Sequence, residues 1–258
     1  MDLGLEGKVV LATGGSDGLG RALCHELVAE GAKVAFCGRD PERLDSVAEA
    51  LAAAGGDVLA VRADVTEPED LSRFVDAAAE KWGRIDGLVN NAGTAAAMPL
   101  AETLDADWDA DLQLKVYGAV RLIRFALPHL RQSGGAIVNT LAIGAKTPGG
   151  GSAPSSVSRA AGMALTKVLS KEFGSDRIRV NAVLIGLIES GQWERRASAE
   201  GLTVGEFYER LAQGSGIPMD RVGRAQEYAD LVTYLLSSRS SYVTGTAINL
   251  DGGLCAVV

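Results

Sequence analysis

The chain has few of the residues that build disulfide frameworks and metal sites. Its 258 residues include only three cysteines and two histidines. Cys24, Cys37 and Cys255 lie far apart and show no CxxC or Cys/His spacing, so neither a disulfide framework nor a metal site is indicated. We therefore expect a protein of a reducing compartment that binds no metal.

Basic residues and long apolar runs are also scarce. The formal net charge is -8 and the pI is near 4.9, so the average surface repels nucleic acid and anionic membranes. No apolar run reaches the roughly 18 residues that a membrane-spanning helix needs. The first residues, MDLGLEGKVV, lack the charged and then apolar pattern of a signal peptide. We expect a soluble, cytoplasmic protein that binds neither nucleic acid nor a membrane.

The sequence does contain short β-rich runs that alternate with helical patterns. The runs are 8–13, 33–37, 57–63, 87–92, 136–141, 178–185 and 246–251. This alternation predicts parallel strands joined by helical crossovers, and the length is typical of one α/β domain covering 1–258. Pro41 and Pro68 each stand where a helix is expected to begin, because a missing N–H costs nothing in the first turn. Longer helices are predicted at about 105–132 and 155–173.

Residues 190–217 interrupt the alternation before the last helix. The segment carries Trp193, Arg195 and Arg196 among other polar residues. One interpretation is a lid that covers an anionic or acyl substrate. The other is a pair of charged surface helices, which has the same composition. The sequence leaves both open.

The stretch TGGSDGLG follows the first predicted strand and opens the first predicted helix. Glycines in that position let the backbone approach a pyrophosphate at a helix N-terminus. The candidate dinucleotide-binding residues of this loop are Thr13, Gly14, Ser16, Asp17, Gly18, Leu19 and Gly20. The alternative, a tight turn that binds nothing, is the weaker interpretation because the strand, loop and helix come in the required order.

The end of the second strand indicates which dinucleotide is preferred. Gly38 stands where an acidic residue would hold the 2′-hydroxyl of NAD(H), and Arg39 beside it can pair with the 2′-phosphate of NADP(H). Asp17 is a counter-argument, since a carboxylate close by would repel the same phosphate. We predict NADP(H) over NAD(H).

Several motifs together resemble the short-chain dehydrogenase/reductase family. They are TGGSDGLG at 13–20, Asp64-Val65, NNAG at 90–93, IRVNAV at 178–183 and VTGTAINLDGG at 243–253. The resemblance spans almost the whole chain. It implies a single-domain Rossmann fold, with a doubly wound seven-stranded parallel sheet and helices on both faces. It also implies a nicotinamide cofactor and a homodimer or homotetramer.

The resemblance further implies cofactor contacts outside the glycine loop. Asp64 and Val65 would border the adenine. The other positions it assigns to the cofactor are Asn90, Ala92 and Gly93 on the ribose side, and Ile188 and Ser190 at the nicotinamide amide.

The family's four catalytic positions hold different residues in this chain. In SAPSSVSRAA, at 152–161, Ser155 takes the position of the tyrosine acid and Arg159 that of the lysine four residues later. Ala142 takes the position of the serine that orients the substrate carbonyl, and Lys115 that of the asparagine. An aliphatic hydroxyl is a much poorer acid than a phenol, so the usual tyrosine mechanism is excluded. Thr140, Lys146 or Thr147 would then have to orient the carbonyl.

Two of the replacements retain useful chemistry. Arg159 can clamp the ribose of a cofactor, but its guanidinium stays charged and cannot relay a proton. Lys115, desolvated beside Arg159, is a candidate replacement acid and base. The alternatives are that Lys115 extends to solvent or pairs with Asp111, and that Ser155 is only a residue of the first helical turn.

Three functions follow from these residues. The favoured one is an atypical NADP(H)-dependent oxidoreductase acting on a carbonyl, an alcohol, or a related C=C or C=N substrate. The second is a nucleotide-binding protein without activity, or the inactive partner of a related active subunit. The third is a non-redox enzyme that uses Lys115 as a base or Schiff-base amine.

Overall fold

A computed structural model describes residues 2–258, which form a parallel sheet of seven strands between two layers of helices. The strands, numbered along the chain and including two that form a small separate ribbon, are β1 (Val9–Thr13), β2 (Lys33–Gly38), β3 (Val58–Arg62), β4 (Gly87–Asn90), β5 (Ala97–Met98), β6 (Ala136–Ala142), β7 (Ala153–Pro154), β8 (Arg179–Ile185) and β9 (Ala247–Leu250). The order across the sheet is β3-β2-β1-β4-β6-β8-β9, and β5 pairs with β7 in an antiparallel ribbon. The strand order reverses direction between β1 and β4, which is where such sheets bind ligands.

Helices cover both faces of this sheet. They are α1 (Gly18–Ala29), α2 (Pro41–Ala53), α3 (Pro68–Trp82), α4 (Asp105–Leu112), α5 (Gly118–Ser133), α6 (Ser155–Glu172), α7 (Gly191–Ala199), α8 (Val204–Ser215) and α9 (Ala225–Leu236). One buried cluster joins α1, α2 and α9 to the sheet, with Tyr228 fully buried in it. A second cluster joins α3 and α5 to the opposite face, around Phe74. The predicted fold class is confirmed.

The strand predictions agree with the structure to within one residue at each end, except for the run at 87–92, where β4 ends two residues earlier, at Asn90. Pro41 and Pro68 are the first residues of α2 and α3, as predicted. The single helix predicted at 105–132 is interrupted, because a π-helical turn, Gln113–Tyr117, lies between α4 and α5. Such turns carry one more residue than an α-helical turn and are frequent at functional sites. Side-chain periodicity gave no sign of it.

The segment 190–217 forms the helix pair α7 and α8, with the Trp193 and Phe207 rings packed 6.0 Å apart between centroids. Thr203 and Glu206 cap the start of α8 reciprocally, which fixes the turn between the two helices. Among residues 2–258, every helix is too short or too polar to cross a bilayer.

Candidate active site

An open cleft of about 460 Å³ lies at the carboxyl ends of the central strands. Most of the residues predicted from the sequence line it together. They are Gly14, Ser16, Asp17, Gly18, Leu19, Gly20, Arg39, Asp64, Val65, Ala92, Gly93, Ala142, Ser155, Arg159, Ile188 and Ser190. The fold therefore brings together residues from the glycine loop, the ends of five further strands and the start of α6.

The glycine loop fits a dinucleotide because its backbone is packed too closely for side chains. A Cβ at Gly20 would lie 2.1 Å from the carbonyl oxygen of Gly14, and Gly14 itself has a φ of 67°. The loop leads directly into the N-terminus of α1, where backbone N–H groups and the helix dipole attract phosphate. The residues present at this end suit a nicotinamide dinucleotide.

Five charged side chains lie at one end of the cleft, which we call the adenosine end because the resemblance assigns the adenine to Asp64 and Val65 there. Arg39 is 75% exposed and lies 3.9 Å from Asp64. Asp17 accepts hydrogen bonds from Arg43 at 3.2 Å and from Arg195 at 2.8 Å. Sequence reasoning did not single out Arg43. The available signal was its position in the first turn of α2, four residues after Arg39. Asp17, which was expected to repel a 2′-phosphate, is neutralised by these two arginines.

Two predicted cofactor residues lie one layer deeper, against a smaller cavity of about 20 Å³. The Thr13 hydroxyl accepts hydrogen bonds from the backbone N–H groups of Asn91 and Ala92, both at 3.0 Å. The Asn90 amide donates to the side chain of Asn139 at 2.8 Å. Thr13 and Asn90 thus hold the strand ends in place beneath the cleft.

Lys115 lies in the π-helical turn and its side chain is only 2% exposed. Its ammonium donates hydrogen bonds to the carboxylate of Asp111, one helical turn earlier, and to the hydroxyl of Ser155 at 2.9 Å. Burial, and then repulsion by Arg159, lower the pKa of Lys115, while Asp111 opposes the shift. The structure therefore contains the pairing with Asp111 that the sequence left open, and the ammonium also reaches Ser155.

Asp111 organises this buried group. Its second carboxylate oxygen accepts a hydrogen bond from the hydroxyl of Ser158 at 2.5 Å. Ser158 lies on α6, one turn after Ser155, so the carboxylate ties α4 to α6. Sequence reasoning missed Ser158, although its spacing of three from Ser155 places both on one helix face.

Ser155 is the first residue of α6 and forms part of the cleft wall. It lies between the cleft and Lys115, which lines only the smaller cavity behind. Ala142, at the end of β6, also lines the cleft and presents no polar group. Any proton that passes from Lys115 to the cleft has Ser155 on its shortest path.

Arg159 separates the two cavities and lines both. One guanidinium nitrogen donates to the carbonyl oxygen of Thr140 at 2.6 Å. Nε is buried and has no hydrogen-bond partner among residues 2–258. Burial lowers the pKa of Arg159, which nevertheless remains a cation because a guanidinium titrates far above neutrality. A buried cation with free donor capacity suits the ribose hydroxyls of a cofactor.

The other residues expected to orient a carbonyl have different contacts. Lys146 donates to the carbonyl oxygen of Ala247 and to Asn249, at 2.9 and 2.8 Å, which directs it to β9. Thr147 lies near Cys255, with 3.4 Å between oxygen and sulfur. Only Thr140 lines the cleft, and its hydroxyl lies 2.6 Å from that of Tyr228. That part of the prediction was wrong for Lys146 and Thr147, because both side chains bond to the C-terminal segment.

Comparison with known proteins decides the family. The family model described as enoyl-(acyl carrier protein) reductase matches residues 14–255. The chain is 34% identical over 251 residues to 3-oxoacyl-[acyl-carrier-protein] reductase FabG of Thermotoga maritima, covering 97% of this chain and 98% of that protein. It belongs to the short-chain dehydrogenase/reductase family. The chain is thus an NAD(P)-dependent oxidoreductase of the short-chain type.

Two solved members of the short-chain family are also similar throughout. A short-chain oxidoreductase of Pseudomonas aeruginosa, described as NADPH-bound and as containing an atypical catalytic center, has a TM-score of 0.92 at 36% identity, over 97% of this chain and 98% of that one. L-Sorbose reductase of Gluconobacter frateurii, complexed with NADPH and L-sorbose, has a TM-score of 0.94 at 33% identity over the full length of both chains. The resemblance predicted from the motifs is confirmed at the level of the family.

Proposed function

We propose that this chain is an NADP(H)-dependent oxidoreductase that interconverts a small carbonyl compound and its alcohol, or a related C=C or C=N substrate, without a tyrosine acid. The observation that carries the proposal is the contact of 2.9 Å between the Lys115 ammonium and the Ser155 hydroxyl, at the wall of the cleft. The bound nicotinamide supplies or accepts the hydride. The protein has to supply the proton.

Ser155 and Lys115 are the proposed proton path. In the reducing direction the Ser155 hydroxyl donates its proton to the substrate oxygen as the O–H bond forms, and the Lys115 ammonium replaces that proton on Ser155. A serine hydroxyl alone is too weak an acid for this step, but an adjacent cation stabilises the alkoxide character that develops on its oxygen. The lysine that remains is neutral, which its lowered pKa favours.

Arg159 is proposed as the clamp on the nicotinamide ribose. It lies one helical turn after Ser155 and next to Gly93, where a Cβ would come within 2.9 Å of a guanidinium nitrogen. One terminal nitrogen is fixed to Thr140, Nε has no hydrogen-bond partner among residues 2–258, and the other terminal nitrogen lies next to Gly93 in the cleft wall. The charge of Arg159 also lowers the pKa of the Lys115 ammonium, which favours the release of a proton.

The preference for NADP(H) is supported by two arginines at the adenosine end. Arg39 is 75% exposed, and Arg43 lies beside the glycine loop in partly exposed ion pairs that a 2′-phosphate can replace. Gly38 lines the cleft and presents no acidic side chain that would repel the phosphate. The NADPH bound by the relatives from P. aeruginosa and G. frateurii agrees with this preference.

A reduction assay with NADPH tests the proposal. The loss of nicotinamide absorbance is measured for a panel of ketones, aldehydes and imines. Lys115→Met is expected to lower kcat by about 100-fold or more, the usual contribution of a positioned acid or base. Lys171→Met is the matched control, because Lys171 is an exposed lysine at the far end of α6. Equal activity of the two variants would remove Lys115 from the mechanism.

A further inference from the structure

The insert helix α7 begins directly against the glycine loop. A Cβ at Gly191 would lie 2.2 Å from a carboxylate oxygen of Asp17, and one at Gly18 would lie 3.4 Å from the side chain of Ser190. Gly18 and Gly191 are the first residues of α1 and α7. The positive ends of two helix dipoles therefore meet at Asp17.

Asp17 is held there by groups that also bind phosphate. One carboxylate oxygen accepts the backbone N–H of Gly18 at 2.8 Å. The other accepts Arg43 at 3.2 Å and Arg195, from α7, at 2.8 Å. A helix N-terminus with two guanidinium groups is an anion site, and in this structure the anion is a side chain of the protein.

The contact between Asp17 and Arg195 is easily exchanged. The two side chains are 39% and 56% exposed, and ion pairs of that kind contribute little to stability. Arg43 also pairs with Asp40 at 3.2 Å, whereas among residues 2–258 Arg195 pairs with Asp17 alone, so Arg195 is the arginine that depends on this carboxylate. Asp17, Arg43 and Arg195 all line the cleft that the dinucleotide is proposed to fill.

We infer that Arg195 is a phosphate ligand of the dinucleotide, carried to the cleft by α7, and that Asp17 stands in for the phosphate until the dinucleotide binds. This inference rests on the proposed function, since it needs a bound dinucleotide. When Arg195 exchanges Asp17 for the phosphate, it holds α7, which already lies against the glycine loop, over the bound cofactor. The insert is thereby a lid that responds to a phosphate, and Arg195 does not serve the substrate.

Nucleotide titration of the purified, nucleotide-free protein tests the inference without any turnover. The Kd values of NADPH and NADH are measured by fluorescence for the wild type, Arg195→Met and Arg196→Met. Arg196 is the control because it neighbours Arg195 on α7 but pairs with Glu200 at 3.0 Å. Arg195→Met is expected to weaken binding about tenfold, as for a charge-assisted hydrogen bond in a partly exposed site, and Arg196→Met less than twofold.

The two nucleotides identify which phosphate is bound. Weakening of NADPH alone assigns Arg195 to the 2′-phosphate, and equal weakening of NADPH and NADH assigns it to the pyrophosphate. Asp17→Asn, which keeps a capping side chain but removes the competing charge, is expected to tighten binding more in the wild-type background than in Arg195→Met, where only the release of Arg43 and the loss of repulsion remain. The effects of the two substitutions on the Kd are therefore expected to be nonadditive. An ion pair with a purely structural role would not produce this coupling in nucleotide binding.

Two results would overturn the inference and they differ from each other. If the wild type binds both nucleotides and Arg195→Met binds them as Arg196→Met does, the role of Arg195 is wrong while the proposed function stands. If the wild-type protein binds neither nucleotide, the proposed function fails and the inference fails with it.

Discussion

The two ends of the cleft hold their charges in opposite ways. At the adenosine end, Arg39 is 75% exposed and its nearest acid is 3.9 Å away. At the reaction end, the side chains of Lys115 and Asp111 are 2% and 1% exposed and are in direct contact. Exposed charges are free to change partners when a ligand arrives, whereas buried charges are fixed by the cost of separating them. The first arrangement suits binding and the second suits a chemical step that needs fixed geometry.

The difference also explains where the sequence is informative. At the adenosine end the backbone of the glycine loop forms much of the binding surface, so a run of glycines after a strand is enough to predict the site. At the reaction end four side chains from two helices must meet, and no single stretch of sequence contains them.

The largest expected difference between the two ends of the cleft is in how much their ion pairs contribute to the free energy of unfolding. Asp111→Asn leaves the Lys115 ammonium buried without its counter-charge, which should lower the free energy of unfolding by about 3–5 kcal/mol. Asp109→Asn, at an exposed position of the same helix, should change it by less than about 0.5 kcal/mol. Urea unfolding of the two variants measures the difference.

The same unfolding experiment compares the ends directly. Asp17→Asn removes the exposed acid of the adenosine end and should cost no more than about 1 kcal/mol. An Asp111→Asn variant as stable as Asp17→Asn would contradict the contrast between a fixed and an exchangeable pair.

An intermediate effect is expected on the pH dependence of activity. Reduction needs the protonated Lys115, so kcat/KM for reduction should fall as pH rises through the pKa of this lysine, by about tenfold for each pH unit above it. Because burial lowers that pKa, the fall begins below the usual range of a lysine. Oxidation needs the neutral amine, so kcat/KM for oxidation should rise as pH rises through the same pKa.

The control for this pH profile is the binding of NADPH, which depends on the other end of the cleft. The Kd of NADPH should not follow the same titration, since Lys115 lies behind Ser155 and away from the phosphates. If reduction by Lys115→Met keeps the wild-type limb, the titrating group is a different one.

The smallest effect is expected from the exposed arginines. Arg39→Met and Arg43→Met should each weaken NADPH by about threefold to tenfold and leave NADH within twofold, because a partly exposed charge-assisted hydrogen bond is lost. The loss should shrink at high salt, which screens exposed charges. Equal weakening of both nucleotides would place these arginines away from the 2′-phosphate.

Sequence reasoning predicted the fold well because strand and helix periodicities differ and the chain follows them. It also predicted most of the residues that line the cleft, since Gly14, Asp64 and Gly93 belong to motifs at strand ends. The π-helical turn around Lys115 was not predictable, because one extra residue in a turn changes hydrogen bonding without changing composition. The homodimer or homotetramer and the cytoplasmic location stay predictions.

The partners of the charged residues were harder to predict than the residues themselves. Arg195 and Asp17 are 178 positions apart, and only the path of α7 brings them together. Lys115 and Asp111 are four apart on one helix, and their pairing was one of two alternatives that the sequence allowed. Ser158 was missed because a serine inside a helix is usually unremarkable.

The hydrogen bonds that join Asp111 to Ser158 and Lys115 to Ser155 make these four side chains, on two helical segments, depend on one another. A tyrosine at position 155 would take away the serine hydroxyl that accepts from Lys115, and an asparagine at position 115 would leave the Asp111 carboxylate without its cation. Either substitution alone is therefore expected to destabilise the protein. The four side chains thus form one unit, in which the effect of a substitution at one position depends on the residues at the other three.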